Sequence, residues 1–187
     1  MAGDGGALEE FIDVFRGKLF QYTLMMCGHR ADAEEVAQDT LMQVFQHFGQ
    51  LREPEHVRAW VFRIARNACS MKRRKSVYAP DRELSLDELM PRWKQQDGER
   101  RLEIADWSRL PEDALLEGEM KAKLHEAIVA LPDIYRSVVL LRDMEGLSTA
   151  ETSQVLEVSE DVVKTRLHRG RLAVRQKLDE YLAGAAV

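Results

Sequence analysis

The sequence predicts an all-α protein, in which two small helical domains are joined by an acidic linker. Apolar residues recur at helical spacing through most of the 187 residues, whereas the long Val, Ile and Thr alternations that indicate strands are missing. Gly and Pro are sparse, and charged residues make up 32% of the chain, which is typical of small helical bundles with little interior. This length fits one ordinary domain or two small ones.

The first predicted domain spans residues 8–76 and follows a flexible tail of residues 1–7. Helical spacing begins at Leu8, and a second helix is expected over about residues 31–48. A loop broken by Pro54 leads into a third helix over about residues 57–75. The inner face of the second helix is predicted to hold Ala37, Leu41, Val44, Phe45 and Phe48. The inner face of the third is predicted to hold Trp60, Val61, Ile64, Ala68 and Met71.

A linker is predicted over residues 77–112, where acidic residues outnumber basic ones and the apolar periodicity is weak. Its two tryptophans, Trp93 and Trp107, indicate that it docks on the flanking domains or on a partner instead of staying fully solvated. Helical spacing resumes in a second predicted domain over residues 113–182.

The second domain ends in a predicted helix-turn-helix. Ser148 and Glu151 have the spacing of a capping box, so a short helix is expected to start there and to end at Leu156. A tight turn and a second capping residue, Ser159, precede the last helix.

The last helix is strongly basic, with six basic and no acidic residues from Lys164 to Lys177, in a chain of net charge −5. Its core face is predicted to hold Val163, Leu167, Gly170 and Val174. That register turns four side chains near the helix start toward a DNA major groove, where Arg reads guanine and Thr contacts thymine. They are Lys164, Thr165, His168 and Arg169, and the flanking Arg166, Arg171 and Lys177 suit phosphates. A solvated amphipathic helix is the alternative.

A second basic island coincides with the third helix, because residues 52–75 hold eight basic and two acidic side chains. One polar stripe at helical spacing consists of Arg63, Arg66, Asn67, Ser70 and Arg74. Phe48, Trp60 and Phe62 lie nearby, and basic residues with interleaved aromatics suit single-stranded bases as well as duplex. Trp60 is nevertheless expected in the core, where it can still form a pocket wall. A chain with both features is a candidate for opening DNA.

Other function classes have little support in the sequence. An enzyme or redox sensor that uses Cys27, His29 and Cys69 is a further alternative. The two cysteines form neither a disulfide framework nor a metal-ligand spacing, and too few ligands lie near Cys27 and His29, so buried structural cysteines are expected instead. The acidic residues of the second helix suit a solvated or partner-binding face better than a hard cation. They are Asp32, Glu34, Glu35 and Asp39. No phosphate loop, nucleophile signature or paired carboxylates indicate an enzyme, a cofactor or a small-molecule substrate.

A cytoplasmic protein without membrane insertion is expected. No apolar run approaches the ~20 residues that span a membrane, and the N-terminal MAGDGGA lacks the order of a signal peptide. Any link to an extracellular signal is therefore expected to pass through a partner.

Three stretches together carry a family resemblance: DAEEVAQDTLMQVFQHF, WVFRIARNACSMKRRK and LPDIYRSVVLLRDMEGLSTAETSQVLEVSEDVVKTRLHRGRLAVRQKL. In this order they resemble a bacterial sigma factor of the extracytoplasmic-function (ECF) group of the sigma-70 family, over about residues 8–76 and 113–180. The resemblance implies a dissociable subunit that directs core RNA polymerase to promoter DNA, with sigma region 2 as the first domain and sigma region 4 as the second.

The resemblance also implies roles for individual residues. The second helix would dock on the clamp coiled-coil of core RNA polymerase through Asp32, Glu35, Gln38 and Asp39. The loop at residues 50–57 and the helix after it would read and melt the minus-ten element through Arg58, Trp60, Arg63, Arg66, Asn67, Ser70, Arg73 and Arg74. Region 4 would read the minus-thirty-five element through Lys164, Thr165, Arg166, His168, Arg169 and Arg171. The acidic linker would thread toward the RNA exit path.

The family further implies an anti-sigma factor that holds the free protein inactive by covering both domains. Two positions of the helix-turn-helix depart from the family's pattern. Glu157 stands in the turn where Gly is common, which predicts a slightly different turn. Gly170 stands where Ala is common, which predicts a less rigid distal end for the last helix.

An ordinary helix-turn-helix repressor or activator, with an N-terminal sensing or dimerisation domain, is the alternative function. It accounts for the basic last helix but leaves the basic stripe of the third helix unexplained.

Overall fold

The computed structural model of the chain describes residues 4–50, 56–75 and 114–185, and these residues are almost entirely helical. An N-terminal unit consists of α1 (Asp4–Cys27), α2 (Arg30–His47) and α3 (Val57–Lys75), with a 3-10 turn at Phe48–Gln50. A C-terminal unit consists of α4 (Ala114–Val129), α5 (Asp133–Val139), α6 (Thr149–Leu156) and α7 (Glu160–Ala185). A π-helical turn at Leu140–Met144 extends α5. The all-α prediction is confirmed, and the predicted linker lies outside the described residues.

The helix ends agree closely with the sequence except at the N-terminus. Helix α1 begins at Asp4, four residues before the apolar spacing starts, so the predicted tail is wrong for residues 4–7. Extending a formed helix by a few residues needs no apolar face, since each added residue gains a backbone hydrogen bond. Gly28 after α1 and Gly146 before α6 have φ values of 76° and 66°, a conformation that glycine adopts without steric cost.

The core of the N-terminal unit is aromatic at its centre. Phe62 packs edge-on against Tyr22 with ring centroids 5.1 Å apart, and the ring of Phe15 lies 6.1 Å away. All three side chains are buried. Phe62 is therefore a core residue and is not available for stacking on bases.

The prediction that Phe45 on α2 and Met71 on α3 face the core is wrong, because each residue is 60% exposed. The buried face of each helix includes a polar residue that apolar spacing assigns to the exterior. On α2 this residue is Thr40, whose hydroxyl donates to the carbonyl oxygen of Val36 at 2.7 Å. On α3 it is Arg73, which forms an ion pair in the interior. Both faces are therefore rotated from the predicted ones.

The two units pack directly against each other, which the sequence did not predict. Helix α3 contacts α6, and α1 contacts α4 and α5. Arg136 on α5 donates from Nη1 to the carbonyl oxygen of Met26 at 2.8 Å. Arg73 pairs with Asp133 at the start of α5, and Arg58 donates to the carbonyl oxygen of Glu145. We call these contacts the inter-unit interface.

Helices α6 and α7 form the predicted helix-turn-helix. Ser148 Oγ accepts from the Glu151 backbone N–H at 3.1 Å, and Glu151 Oε2 accepts from the Ser148 N–H at 2.7 Å, so the capping box is confirmed. Ser159 Oγ accepts from the Val162 N–H at 3.4 Å. All four predicted core residues of α7 are buried: Val163, Leu167, Gly170 and Val174.

Glu157 closes the turn with φ 55° and ψ 44°, in the left-handed region that glycine enters most easily. The different turn expected for a non-glycine residue is therefore not observed, and Glu157 bears backbone strain instead. The left-handed region costs an ordinary residue about 1–2 kcal/mol, and a glycine there would relieve this strain but lose more entropy on folding. Glu157→Gly should therefore raise the free energy of unfolding by about 1 kcal/mol. Urea unfolding measures this change. Glu160→Gly, inside the first turn of α7, should do the opposite, and a loss of stability in both variants would contradict the strain.

Gly170 lies where α7 crosses α5, and a Cβ atom there would come within 2.8 Å of Val139 Cγ2. The glycine therefore permits close helix packing, a role that its helix propensity alone does not show. Overpacking a buried site costs about 1–3 kcal/mol, and the gain in propensity for Ala is at most about 1 kcal/mol. Gly170→Ala should therefore lower the free energy of unfolding by about 1–2 kcal/mol.

Gly118→Ala in α4 is the matched control, because nothing lies within 4 Å of its added Cβ. It should leave the stability unchanged or raise it slightly. Thermal unfolding of both variants measures the difference, and a stabilised Gly170→Ala protein would rule out the packing role.

Candidate nucleic-acid and protein interfaces

Helix α2 presents an acidic face to solvent. Three of the four side chains predicted to bind polymerase, Glu35, Gln38 and Asp39, are exposed. The fourth, Asp32, is buried and lies 3.8 Å from Nζ of Lys72 on α3. Lys72 also donates to Glu35 Oε2 at 2.6 Å, and this hydrogen bond raises the pKa of Lys72. Asp32 and Glu35 therefore both help to join α2 to α3, while Glu35, Gln38 and Asp39 keep exposed side chains that a partner can reach.

The same face of α2 carries two exposed apolar side chains, Met42 and Phe45, which the sequence analysis did not assign to it. They follow Glu35 at helical spacing and so continue its side of the helix. Met71 lies across the groove between α2 and α3, which Glu35 also lines. Large exposed apolar side chains beside charged ones are typical of protein-binding surfaces. The helical spacing of Met42 and Phe45 from Glu35 is the sequence feature that could have placed them on this face.

The predicted minus-ten residues divide into two groups on α3. Arg63, Asn67 and Arg74 are exposed, and Trp60, Arg66 and Ser70 are half-buried. Arg66 Nη1 donates to Asn67 Oδ1 at 3.1 Å, which orders two neighbouring side chains of the stripe. Trp60 packs against the core from its edge, in agreement with the expected role as a core residue that can form a wall.

The other two predicted minus-ten residues, Arg58 and Arg73, belong to the inter-unit interface. Arg58 contacts the carbonyl oxygen of Glu145, and Arg73 is buried against Asp133. The guanidinium of Arg73 is therefore closed to DNA in this arrangement, and the half-buried Arg58 has one nitrogen engaged by the C-terminal unit. The predicted minus-ten loop lies mostly outside the described residues.

Helix α7 presents the predicted groove-reading residues at its N-terminal end. Thr165, His168 and Arg169 are exposed. Lys164 is also exposed, and its Nζ lies 3.1 Å from Asp161 Oδ1 on the same helix. A partner that reaches Lys164 therefore has to compete with a weak surface ion pair.

Arg166 differs from the exposed residues in its burial, and Arg171, although exposed, differs in its pairing. Arg166 is half-buried. Arg171 makes a two-point pair with Asp143, with Nε 3.0 Å from Oδ2 and Nη2 2.5 Å from Oδ1, and this pair raises the pKa of Arg171. Because Asp143 lies in the π-helical turn, Arg171 links that turn to α7, which limits its freedom to bind a phosphate.

Comparisons with known protein families agree with this division into two units. The family model described as Sigma-70 region 2 matches residues 11–77, and the one described as Sigma-70, region 4 matches residues 121–174. The ECF RNA polymerase sigma factor SigW of Bacillus subtilis is 30% identical over 178 residues, which cover 94% of this chain and 91% of SigW. The ECF RNA polymerase sigma factor SigE of Mycolicibacterium smegmatis is 30% identical over 97% of this chain and 65% of SigE.

Two solved structures share the fold. The sigma factor RpoE, in complex with the anti-sigma factor NepR from Bartonella quintana, matches with a TM-score of 0.64 and 16% identity, over 91% of this chain and 96% of RpoE. CnrH, in complex with the cytosolic domain of CnrY, matches with a TM-score of 0.62 and 22% identity, over 96% and 92%. Two sigma regions in the same order, and an identity to SigW that extends over almost the full length, show that this chain belongs to the ECF sigma factors of the sigma-70 family.

Proposed function

We propose that this chain binds core RNA polymerase and directs it to specific promoters as an ECF sigma factor. The observation that carries the proposal is the presence of two separate basic surfaces, on α3 and on α7, in a chain that matches both sigma region 2 and sigma region 4. A helix-turn-helix repressor or activator needs the second surface but has no use for the first.

The N-terminal end of α7 is proposed to enter the major groove at the minus-thirty-five element. Thr165, His168 and Arg169 are the exposed side chains that reach base edges there, and Lys164 joins them once it leaves Asp161. Arg166 is placed to contact the backbone. For Arg171 we propose a supporting role through its pair with Asp143.

The exposed stripe of α3 is proposed to bind the minus-ten element, where separated bases and phosphates meet Arg63, Asn67 and Arg74. Trp60, Arg66 and Ser70 border this stripe. Arg58 and Arg73 can join it only after the two units separate, because both contact the C-terminal unit. We therefore propose that polymerase and promoter bind an opened form of the protein.

The acidic face of α2 is proposed to dock on the clamp coiled-coil of core polymerase. Glu35, Gln38 and Asp39 supply polar contacts around the apolar Met42 and Phe45, which would form the desolvated centre of the contact. Asp32 acts indirectly, since it is buried beside Lys72.

An anti-sigma factor is proposed as a further partner. Of the two solved structures that share this fold, one holds the sigma factor RpoE in complex with the anti-sigma factor NepR, and the other holds CnrH in complex with the cytosolic domain of CnrY. The exposed apolar side chains Met42, Phe45 and Met71 offer such a partner a surface.

We propose a cytoplasmic transcription factor with no catalytic activity or cofactor of its own. Among the described residues, no helix is long and apolar enough to cross a membrane.

Run-off transcription with purified core RNA polymerase on a promoter library tests the proposal. The chain should start transcription at a subset of promoters that share two elements, and core polymerase alone should not. Asp39→Lys should abolish this activity, and Glu126→Lys, which reverses an exposed acid on α4, should not. Binding to DNA without any transcript, or to DNA but not to core polymerase, would favour the helix-turn-helix regulator instead.

A further inference from the structure

The two cysteines of the chain lie together in the N-terminal unit, although 42 positions separate them in the sequence. Cys27 is the last residue of α1, and Cys69 lies in the second half of α3. Their Sγ atoms are 3.4 Å apart and share a hydrogen bond, and both are free thiols. The spacing of the two cysteines in the sequence does not predict this contact.

The two thiols differ in access and in acidity. Cys69 is fully buried, whereas Cys27 is half-buried and is therefore the more accessible of the two thiols. The hydrogen bond from the Cys69 thiol lowers the pKa of Cys27, because it stabilises the Cys27 thiolate. The pKa of Cys69 is raised by that same hydrogen bond and by its burial. Accessible thiolates beside cationic groups are the reactive cysteines of proteins, and Arg73 and Arg136 are close enough to favour the Cys27 thiolate.

We propose that Cys27 and Cys69 form a redox-modification site that low-molecular-weight disulfides convert into an intramolecular disulfide. The Cys27 thiolate attacks one sulfur of the small disulfide, forms a mixed disulfide and releases one small thiolate. The Cys69 sulfur then attacks Cys27 Sγ and releases the second small thiolate, which takes up the proton of the Cys69 thiol as it leaves. The protein loses two protons and two electrons, and the small disulfide becomes two thiols.

The geometry of the pair favours the second step. The sulfur atoms have to approach from 3.4 Å to about 2.05 Å, a change within reach of side-chain rotation without separating α1 from α3. Cys69 is enclosed by the core and lies against the sulfur that the reagent modifies first. An internal attack is therefore faster than the arrival of a second reagent molecule.

The disulfide would act next to the inter-unit interface. Met26, which precedes Cys27, accepts the hydrogen bond from Arg136, and Arg73, one turn beyond Cys69, pairs with Asp133. Oxidation would thus tie together the two helices that carry these contacts to the C-terminal unit. We expect the oxidised chain to keep the packed arrangement more firmly than the reduced chain.

Equilibration of the full chain in glutathione buffers of increasing oxidised share tests the proposal, with acid quenching, alkylation and intact mass measurement. Both thiols should be lost together in a monomer that is lighter by two hydrogen atoms, and dithiothreitol should restore them. Two free thiols in the most oxidising buffer, a lasting glutathione adduct or a disulfide-linked dimer would each overturn the proposal.

Single variants assign the order of the steps. Cys69→Ser should accumulate the Cys27–glutathione adduct, and Cys27→Ser should react at least about tenfold more slowly than wild type. The oxidised wild-type chain should melt about 5 °C or more above the reduced chain, and the Cys27→Ser/Cys69→Ser double variant should show no such difference between buffers. Equal melting temperatures for oxidised and reduced wild-type chains would show that the bond does not constrain the fold.

Discussion

Arg136→Met should lower the free energy of unfolding by about 3–5 kcal/mol. The side chain is 4% exposed, and its Nε and Nη2 donate to the carbonyl oxygen of Leu131 at 3.1 and 2.7 Å. Its Nη1 donates to the carbonyl oxygen of Met26 across the inter-unit interface at 2.8 Å. Methionine fills a similar volume but donates no hydrogen bond, so two buried carbonyl oxygens would lose these donors and Asp133 would lose a nearby positive charge.

Urea unfolding followed by circular dichroism measures this effect. Arg30→Met is the matched control, because Arg30 is exposed. It makes an i,i+4 pair with Glu34, worth about 0.5 kcal/mol or less, and a cation-π contact 5.8 Å from the centroid of Phe20, worth about 0.5–1 kcal/mol at an exposed site. Small-angle scattering should also show an expanded Arg136→Met protein at low urea, since one of its bonds joins the two units. A loss below about 1 kcal/mol would show that solvent replaces the guanidinium easily, against the burial argument.

Arg169→Ala should weaken binding of the reconstituted holoenzyme to promoter DNA by about 10–100-fold. Arg169 is exposed on the N-terminal half of α7, where a recognition helix meets base edges. Loss of a two-point contact to guanine should also relax the sequence preference at one position of the minus-thirty-five element. Binding and transcription at fixed salt, on promoters that vary at each position, measure both effects, because phosphate contacts change strongly with salt.

Arg171→Ala provides the contrast on the same helix. Its guanidinium is occupied by Asp143, so we expect a smaller loss of DNA affinity, no change of sequence preference and a lower thermal stability. Two results together would contradict this assignment: a relaxed sequence preference in the Arg171→Ala holoenzyme and unchanged DNA binding by the Arg169→Ala holoenzyme. Arg171 would then be the residue that contacts a base.

The inter-unit interface determines which of the proposed binding surfaces a partner can reach before the two units separate. In the packed form, α3 is covered along the side that carries Arg58 and Arg73, while the acidic face of α2 and the start of α7 stay exposed. A partner can therefore meet the protein at α2 or α7 before the units separate. Separation exposes buried groups such as Arg136, so it requires compensating contacts from polymerase and promoter.

Much of the local structure could be predicted from the residues. The start of α3 at Val57, the capping box of Ser148 and Glu151, and the core face of α7 all depend on interactions within one or two helical turns. Such interactions are encoded by short spacings, which apolar periodicity and cap chemistry describe well. The exposure of the α7 side chains that we propose to read the groove follows from the same register.

The errors share a different origin. Thr40 and Arg73 are polar yet buried. The carbonyl oxygen of Val36, one turn earlier on α2, satisfies Thr40, and the Asp133 carboxylate of the other unit satisfies Arg73. The helix faces that bury them leave Phe45 and Met71 in solvent. Asp32 is hidden by the approach of Lys72 from a neighbouring helix. The burial of Arg73 and Asp32 depends on partners distant in the chain, which no spacing within one helix reveals.

The helices, their caps and the two basic surfaces were thus encoded locally, and so was the family that they indicate. The packing of one unit on the other, the closeness of Cys27 and Cys69 and the burial of Arg136 emerged only in three dimensions. Each of these depends on a few contacts between residues more than 40 positions apart, whose formation is governed by how whole helices fit together and by which buried polar groups they satisfy.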